Sequence, residues 1–329
     1  IKQTDKKTVE TMVETEWIVF LAVSFVKALL VPTYRSTDFE VHRNWLAITH
    51  SLPLDEWYID ESSIWTLDYP PFFAWFERLL AYFAVYFDAD MLDVSNTNYA
   101  SFETVLFQRV TVMLSDLVLF YAIRRYSYTW PIDREFGTFL FESWSKRKMV
   151  AILIVTLFNA GLLMVDHIHF QYNGLLIGLY LLSIVSIREG QARGAAFYFA
   201  ILLCMKHIFI YVAPLYAVYL LAAYVFVEED MSSRQPFWTW HEFSITHKQK
   251  HYAFRWTHLF SLAFVVLTPA LIAFAPFLFA FGQTLNLWRR LFPFGRGLTH
   301  AYWAPNLWAL YNAADIVLTQ LLSKTKNQS

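Results

Sequence analysis

The run "AAFYFAILLCMKHIFIYVAPLYAVYLLAAYVF", residues 195–226, limits the fold more than any other stretch. A bilayer's hydrocarbon core takes roughly 20 apolar helical residues. This run exceeds one crossing, yet it carries Lys206 and His207 near its middle. A charged pair at mid-membrane is costly. The run is therefore expected to divide into two short helices that meet at a polar tip away from the cytosol. With it, the expected spans are 17–34, 104–123, 149–166, 174–187, 195–207, 208–227, 257–281 and 306–322. Composition agrees: 57% of residues are hydrophobic and 16% charged, with a mean hydropathy of +0.36, against about 25% charged in soluble domains. The fold class is an all-α, multi-span membrane protein. A net charge of -1 argues against a nucleic-acid partner. Cys204 is the single cysteine, which excludes an intrachain disulfide.

Basic residues orient the spans, because cytosolic loops carry an excess of Lys and Arg. Loops 124–148, 188–193 and 228–255 are the basic ones, with Arg124, Arg125, Lys146, Arg147 and Lys148 in the first. Loop 35–103 holds only Arg35, Arg43 and Arg78 against twelve acids. It is placed on the opposite, lumenal side. The stretch "PPFFAWFERLLAYFAVYFD" would reverse every later loop if it crossed, so 72–87 is predicted to be an amphipathic helix lying in the interface. The resulting organisation is a cytosolic segment 1–16, a first span 17–34 and a lumenal loop 35–103 with interfacial helices. The spans of 104–281 follow, then an arginine- and aromatic-rich loop 282–305 and a last helix in 306–329.

Four clusters carry chemistry. In "STDFEVHRNWLAIT", Asp38, His42 and Trp45 fall at i, i+4 and i+7 of a predicted helix, with Glu40 beside them. Carboxylate, imidazole and indole suit a sugar, although a solvated helix capped by Asp38 explains them too. In "WTLDYPPFFAW", Asp68 and Tyr69 precede a Pro-Pro helix start, and Asp68 has an architectural reading as a cap. In "LLMVDHIHFQYNG", Asp166, His167 and His169 end an apolar run. Two histidines at i, i+2 do not share a helical face, so polar contacts to substrate or to a neighbouring loop are expected rather than a metal. The loop "LNLWRRLFPFGRGLTHAYWAPNLWALYN" places Arg290, Arg296, His300, Tyr302 and Trp303 on the side where basic residues are otherwise sparse. Arginine forks suit phosphate oxygens, and lipid headgroups attract the same residues. Lys206 joins these as a phosphate candidate. A carboxylate base, a phosphate loop and aromatic platforms at one interface point to glycosyl transfer from a lipid-linked phosphosugar, with Asp38 taking the acceptor's proton.

These motifs, with "KHIFIYVAPLY", resemble in order the dolichyl-phosphate-glucose-dependent α-1,3-glucosyltransferases of the endoplasmic reticulum membrane, which have the GT-C fold. Within the family, "GLTHAYWAPNLWALYN" is similar to the enzyme acting on the monoglucosylated nine-mannose dolichyl-diphosphate oligosaccharide. The resemblance implies inverting single displacement from dolichyl-phosphate glucose, a lumenal base at Asp38, and no metal or cofactor beyond the donor. Family members carry further spans, so the chain is expected to be truncated at its C-terminal end. Two alternatives stand beside this reading. One is a sister transferase, either the first glucosyltransferase or another dolichyl-phosphate-sugar user. The other is a transporter of lipid-linked sugar, against which the lack of internal repeats argues.

Overall fold

The computed structural model describes residues 3–129, 149–229, 244–247, 250–278, 281–293 and 307–326. The first helix, α1 (Gln3–Leu29), leads into two helices of the first long loop, α2 (Thr37–Ser51) and α3 (Pro71–Ala84). Ser36 caps α2 by accepting from Asp38 N at 3.1 Å, with Asp38 and Glu40 in the first turn, where acids favour the helix dipole. Pro71 opens α3, where a missing N–H costs nothing. Then come α4 (Phe102–Tyr128), α5 (Met149–Phe170), α6 (Asn173–Arg188), α7 (Ala192–Met205) and α8 (His207–Val225). The last helices are α9 (Trp256–Leu278), α10 (Phe281–Leu291) and α11 (Leu307–Lys326).

Among the described residues, four helices are long and apolar enough to cross a membrane: 102–127, 149–170, 207–225 and 256–278. The chain is a membrane protein. Its long central run breaks at Lys206, whose extended backbone separates α7 from α8. The helix expected over 72–87 is α3.

A small antiparallel sheet, order β1-β3-β2, lies between α8 and α9: β1 (Phe226–Glu229), β2 (Ser244–His247) and β3 (Lys250–Phe254). Phe226 pairs with Phe254, and Ser244 with Ala253. Arg255 N donates to Val225 O at 2.9 Å and closes the hairpin onto α8.

The largest core joins the first loop to the bundle. Phe39, Trp45, Trp57, Tyr58 and Phe73 pack in one cluster with Phe170, Tyr172, Leu202 and Phe277. Trp57 and Tyr58 meet Phe277 of α9 at ring distances of 6.0 and 5.3 Å, and Trp75 Nε1 donates to Ala273 O at 3.3 Å. Aromatic pairs of this kind add about 0.5–1.5 kcal/mol each beyond area burial. The loop is therefore docked on the bundle, with α2 laid against the end of α5.

Candidate active site

The end of α5 is unusual in its backbone. Asn159 interrupts the helix and caps its second half, accepting from Leu162 N at 3.2 Å. Residues Leu163–Phe170 then form a widened π-helical turn, a feature frequent at functional sites. Phe170 closes it with φ +85, a left-handed conformation that is strained for a bulky residue. Its ring is fully buried against Phe39, His42 and Tyr172, which hold it there.

Arg109 of α4 secures the carbonyls that this turn leaves open. It donates to His167 O at 2.6 Å, Ile168 O at 3.0 Å and, across to the first loop, Tyr34 O at 2.9 Å. Ser36 Oγ donates to His169 O. These bonds fasten the entry of α2 to the exit of α5.

The kink has a direct consequence. Residues two apart in a regular helix point to different sides. Across Phe170, His169 and Gln171 instead reach the same carboxylate. Gln171 Nε2 donates to Asp38 Oδ2 at 2.6 Å, and His169 Nε2 lies 3.1 Å from that oxygen. The Asp38 side chain remains 29% exposed and His169 46%. Asp38 is thus neither the helix cap nor a plain solvated acid.

Lys206, at the break in the central run, stands within electrostatic reach of Asp38, Asp68 and Asp166. Its Nζ sits 5.0 Å from the Tyr69 ring centroid. No carboxylate among the described residues is within ion-pair distance of it. Burial, with the charges of Asp68 and Asp38, pushes the Tyr69 phenol above its ordinary range, so Tyr69 keeps its proton. Asp38, His169, Lys206, Asp68 and Tyr69 form one neighbourhood. It joins α2, the first loop, α5 and the α7–α8 break.

The other sequence candidates lie elsewhere. Glu40 is buried in a two-point pair with Arg43, both bonds 2.8 Å, and Arg43 carries on to Met91 O at 2.8 Å. The sugar-stacking plane expected of Trp45 is enclosed: it is 2% exposed, and its indole N–H donates to Thr66 O at 3.1 Å. His42 is buried against Glu77 of α3, with Nδ1 2.7 Å from Oε1. Asp68 is not the cap of α3, which has Pro70 at that position.

Asp166 and His167 turn inward. Asp166 caps α6, its Oδ1 taking Asn173 N at 3.1 Å and its Oδ2 taking Gly174 N at 2.6 Å. His167 Nε2 lies 3.0 Å from Asp116, which holds Lys27 at 2.7 Å. Arg290 is engaged as a tether of α10 to the first loop, donating to Tyr58 O at 3.2 Å and Glu61 Oε1 at 3.0 Å. Arg296, His300, Tyr302 and Trp303 lie outside the described residues.

Sequence reasoning passed over Gln171, Asn173, Arg109, Glu77 and the Lys27–Asp116 pair. The last had a readable signal, since a lysine and an aspartate each interrupt an apolar run and such charges pair. Gln171 had none, because its role depends on the left-handed residue before it.

A sequence profile of the ALG6, ALG8 glycosyltransferase family matches residues 23–329. The chain is 50% identical over 302 residues to the Bos taurus dolichyl pyrophosphate Glc1Man9GlcNAc2 alpha-1,3-glucosyltransferase, covering 91% of the chain and 53% of that relative. It is 48% identical over 308 residues to the Mus musculus protein of the same name, covering 93% and 54%. The Kluyveromyces lactis protein of that name is 45% identical over 310 residues, covering 94% and 51%. The chain spans about half the length of these curated relatives. On the profile match over residues 23–329, this chain belongs to the ALG6, ALG8 glycosyltransferase family.

Proposed function

We propose that the protein containing this chain transfers glucose from dolichyl-phosphate glucose to the monoglucosylated nine-mannose dolichyl-diphosphate oligosaccharide. The new bond is α-1,3, formed on the lumenal face of the endoplasmic reticulum membrane during N-glycan precursor assembly. The observation that carries the reading is the partly exposed Asp38 carboxylate, held through Oδ2 by Gln171, with His169 Nε2 3.1 Å from the same oxygen and the Lys206 ammonium within electrostatic reach. The names of the relatives supply the substrate.

In the proposed step the acceptor hydroxyl attacks the anomeric carbon of the donor glucose from the face opposite the phosphate. The glycosidic C–O bond forms as the bond from carbon to phosphate oxygen breaks, and the anomeric configuration inverts. Asp38 takes the hydroxyl proton, and dolichyl phosphate leaves with the electron pair. Lys206 offers a positive charge where negative charge grows on the departing phosphate. Arg296 and His300 are proposed to join it from the loop after α10.

The test is an acceptor comparison with the full-length protein, purified dolichyl-phosphate glucose and two lipid-linked glycans, one unglucosylated and one monoglucosylated. Consumption of the monoglucosylated glycan supports the reading. Consumption of the unglucosylated glycan alone assigns the sister activity. Lipid movement across vesicles without glucosyl transfer would replace an enzyme with a transporter.

A further inference from the structure

Asp38 is approached by two nitrogens, and both choose the same oxygen. Gln171 Nε2 is 2.6 Å and His169 Nε2 3.1 Å from Oδ2, while no described residue bonds Oδ1. The carboxylate is therefore asymmetric. The orientation of the Gln171 amide is what makes it so, and that orientation is fixed from behind.

Asn173 faces Asp166 Oδ1 at 2.9 Å, and a carboxylate oxygen there can only accept. Nδ2 must therefore be the Asn173 atom turned toward it. The second hydrogen of that Nδ2 points to Gln171 Oε1 at 2.8 Å. With Oε1 taken, Gln171 can present only its NH2 to Asp38. The amide direction is set by the network, with no free choice left in it. Asp166 is itself locked by the backbone N–H groups of Asn173 and Gly174 at the start of α6.

We infer that Gln171, oriented by Asn173 and Asp166, is a positioning residue that holds Asp38 by Oδ2 and leaves Oδ1 to receive the acceptor's proton. The inference deepens the glucosyl-transfer reading and rests on it for its catalytic consequence. The geometry of the hydrogen-bond chain stands by itself. A fully connected chain of this kind fixes one rotamer, whereas a partly connected one does not.

Two measurements test it on the full-length protein in detergent. The first is the infrared carboxylate stretch that Asp38→Asn removes. Gln171→Met should shift that band, and Asn173→Asp should shift it as well, because an acceptor at 173 turns the Gln171 amide around. The second is steady-state transfer. Gln171→Met should lower kcat by about 10- to 100-fold, the scale of a misplaced reacting group, with KM for donor and acceptor within about twofold. Should Gln171→Met fail to fold, Gln171→Asn keeps the amide and shortens its reach, and the same shift is expected.

An Asp38 band unmoved in these variants overturns the proposal, as does a loss confined to KM. If the wild-type protein transfers no glucose, the activity reading falls. The infrared arm then decides the hydrogen-bond chain by itself.

Discussion

His42 Nδ1 and Glu77 Oε1 meet at 2.7 Å in a space closed to water, one side chain from α2 and the other from α3. The distance is that of an ion pair, but the surroundings favour neutral forms. Burial pushes the His42 imidazole down from 6.5 to about 3 and the Glu77 carboxyl well above 4.5.

These two directions set the pH dependence of stability. His42, lowered on folding, contributes fully above about 6.5 and loses its contribution as pH falls from there toward 3. Glu77, raised on folding, contributes fully below about 4.5 and loses its contribution as pH rises from there. Between those values the two effects offset each other, so the pair gives a plateau with losses on either side. Glu77→Gln removes one arm. The acid-side fall in melting temperature should then begin near 6.5 instead of 4.5, read by thermal denaturation in detergent across pH. Glu77→Ala, which strands a buried imidazole, should cost about 2–4 kcal/mol.

Asp38→Asn keeps the side chain's size while removing the base. Transfer should fall by at least about 100-fold, within the range for general-base removal, while the melting temperature stays within a few degrees. A variant that keeps most of its turnover on purified lipid substrates would take Asp38 out of the chemistry.

Lys206→Gln should raise KM for dolichyl-phosphate glucose about tenfold, with the glycan acceptor's KM nearly unchanged. The reason is that the ammonium meets no carboxylate at ion-pair distance among the described residues and faces the site over Tyr69. Initial rates with each substrate varied in turn check this. Equal rises in both constants would make Lys206 a structural residue.

At Gly178 the backbone of α6 lies close against that of α4. A Cβ there would stand 2.7 Å from Leu119 N and 2.9 Å from both Leu119 Cα and Val118 C, all backbone atoms that cannot turn aside. Gly178→Ala should therefore destabilise by about 1–3 kcal/mol as the helices part. Gly194→Ala is the control, since its nearest neighbour is the Ser186 Oγ at 3.4 Å. Thermal melts of the two variants side by side give the comparison.

The apolar runs marked where helices lie, because each must satisfy its own backbone in lipid. Only four of the eight expected spans coincide, among the described residues, with helices long and apolar enough to cross a membrane. Lys206 marked the break in the longest run, since an ammonium at mid-span is costly. The Pro-Pro pair set the start of α3, and Asp38 stood out as an acid following an apolar run. The partners of these residues were decided only in three dimensions. Asp38 meets Gln171 and His169 because a left-handed Phe170 reverses the chain between them, and Arg109, far off in sequence, holds that turn. Trp45 and His42 share a helical face with Asp38, but α3 and the first loop close over them, leaving Asp38 at the rim. Periodicity says which side chains point the same way. Which of them stay open depends on what packs against that face, and those neighbours come from distant parts of the chain.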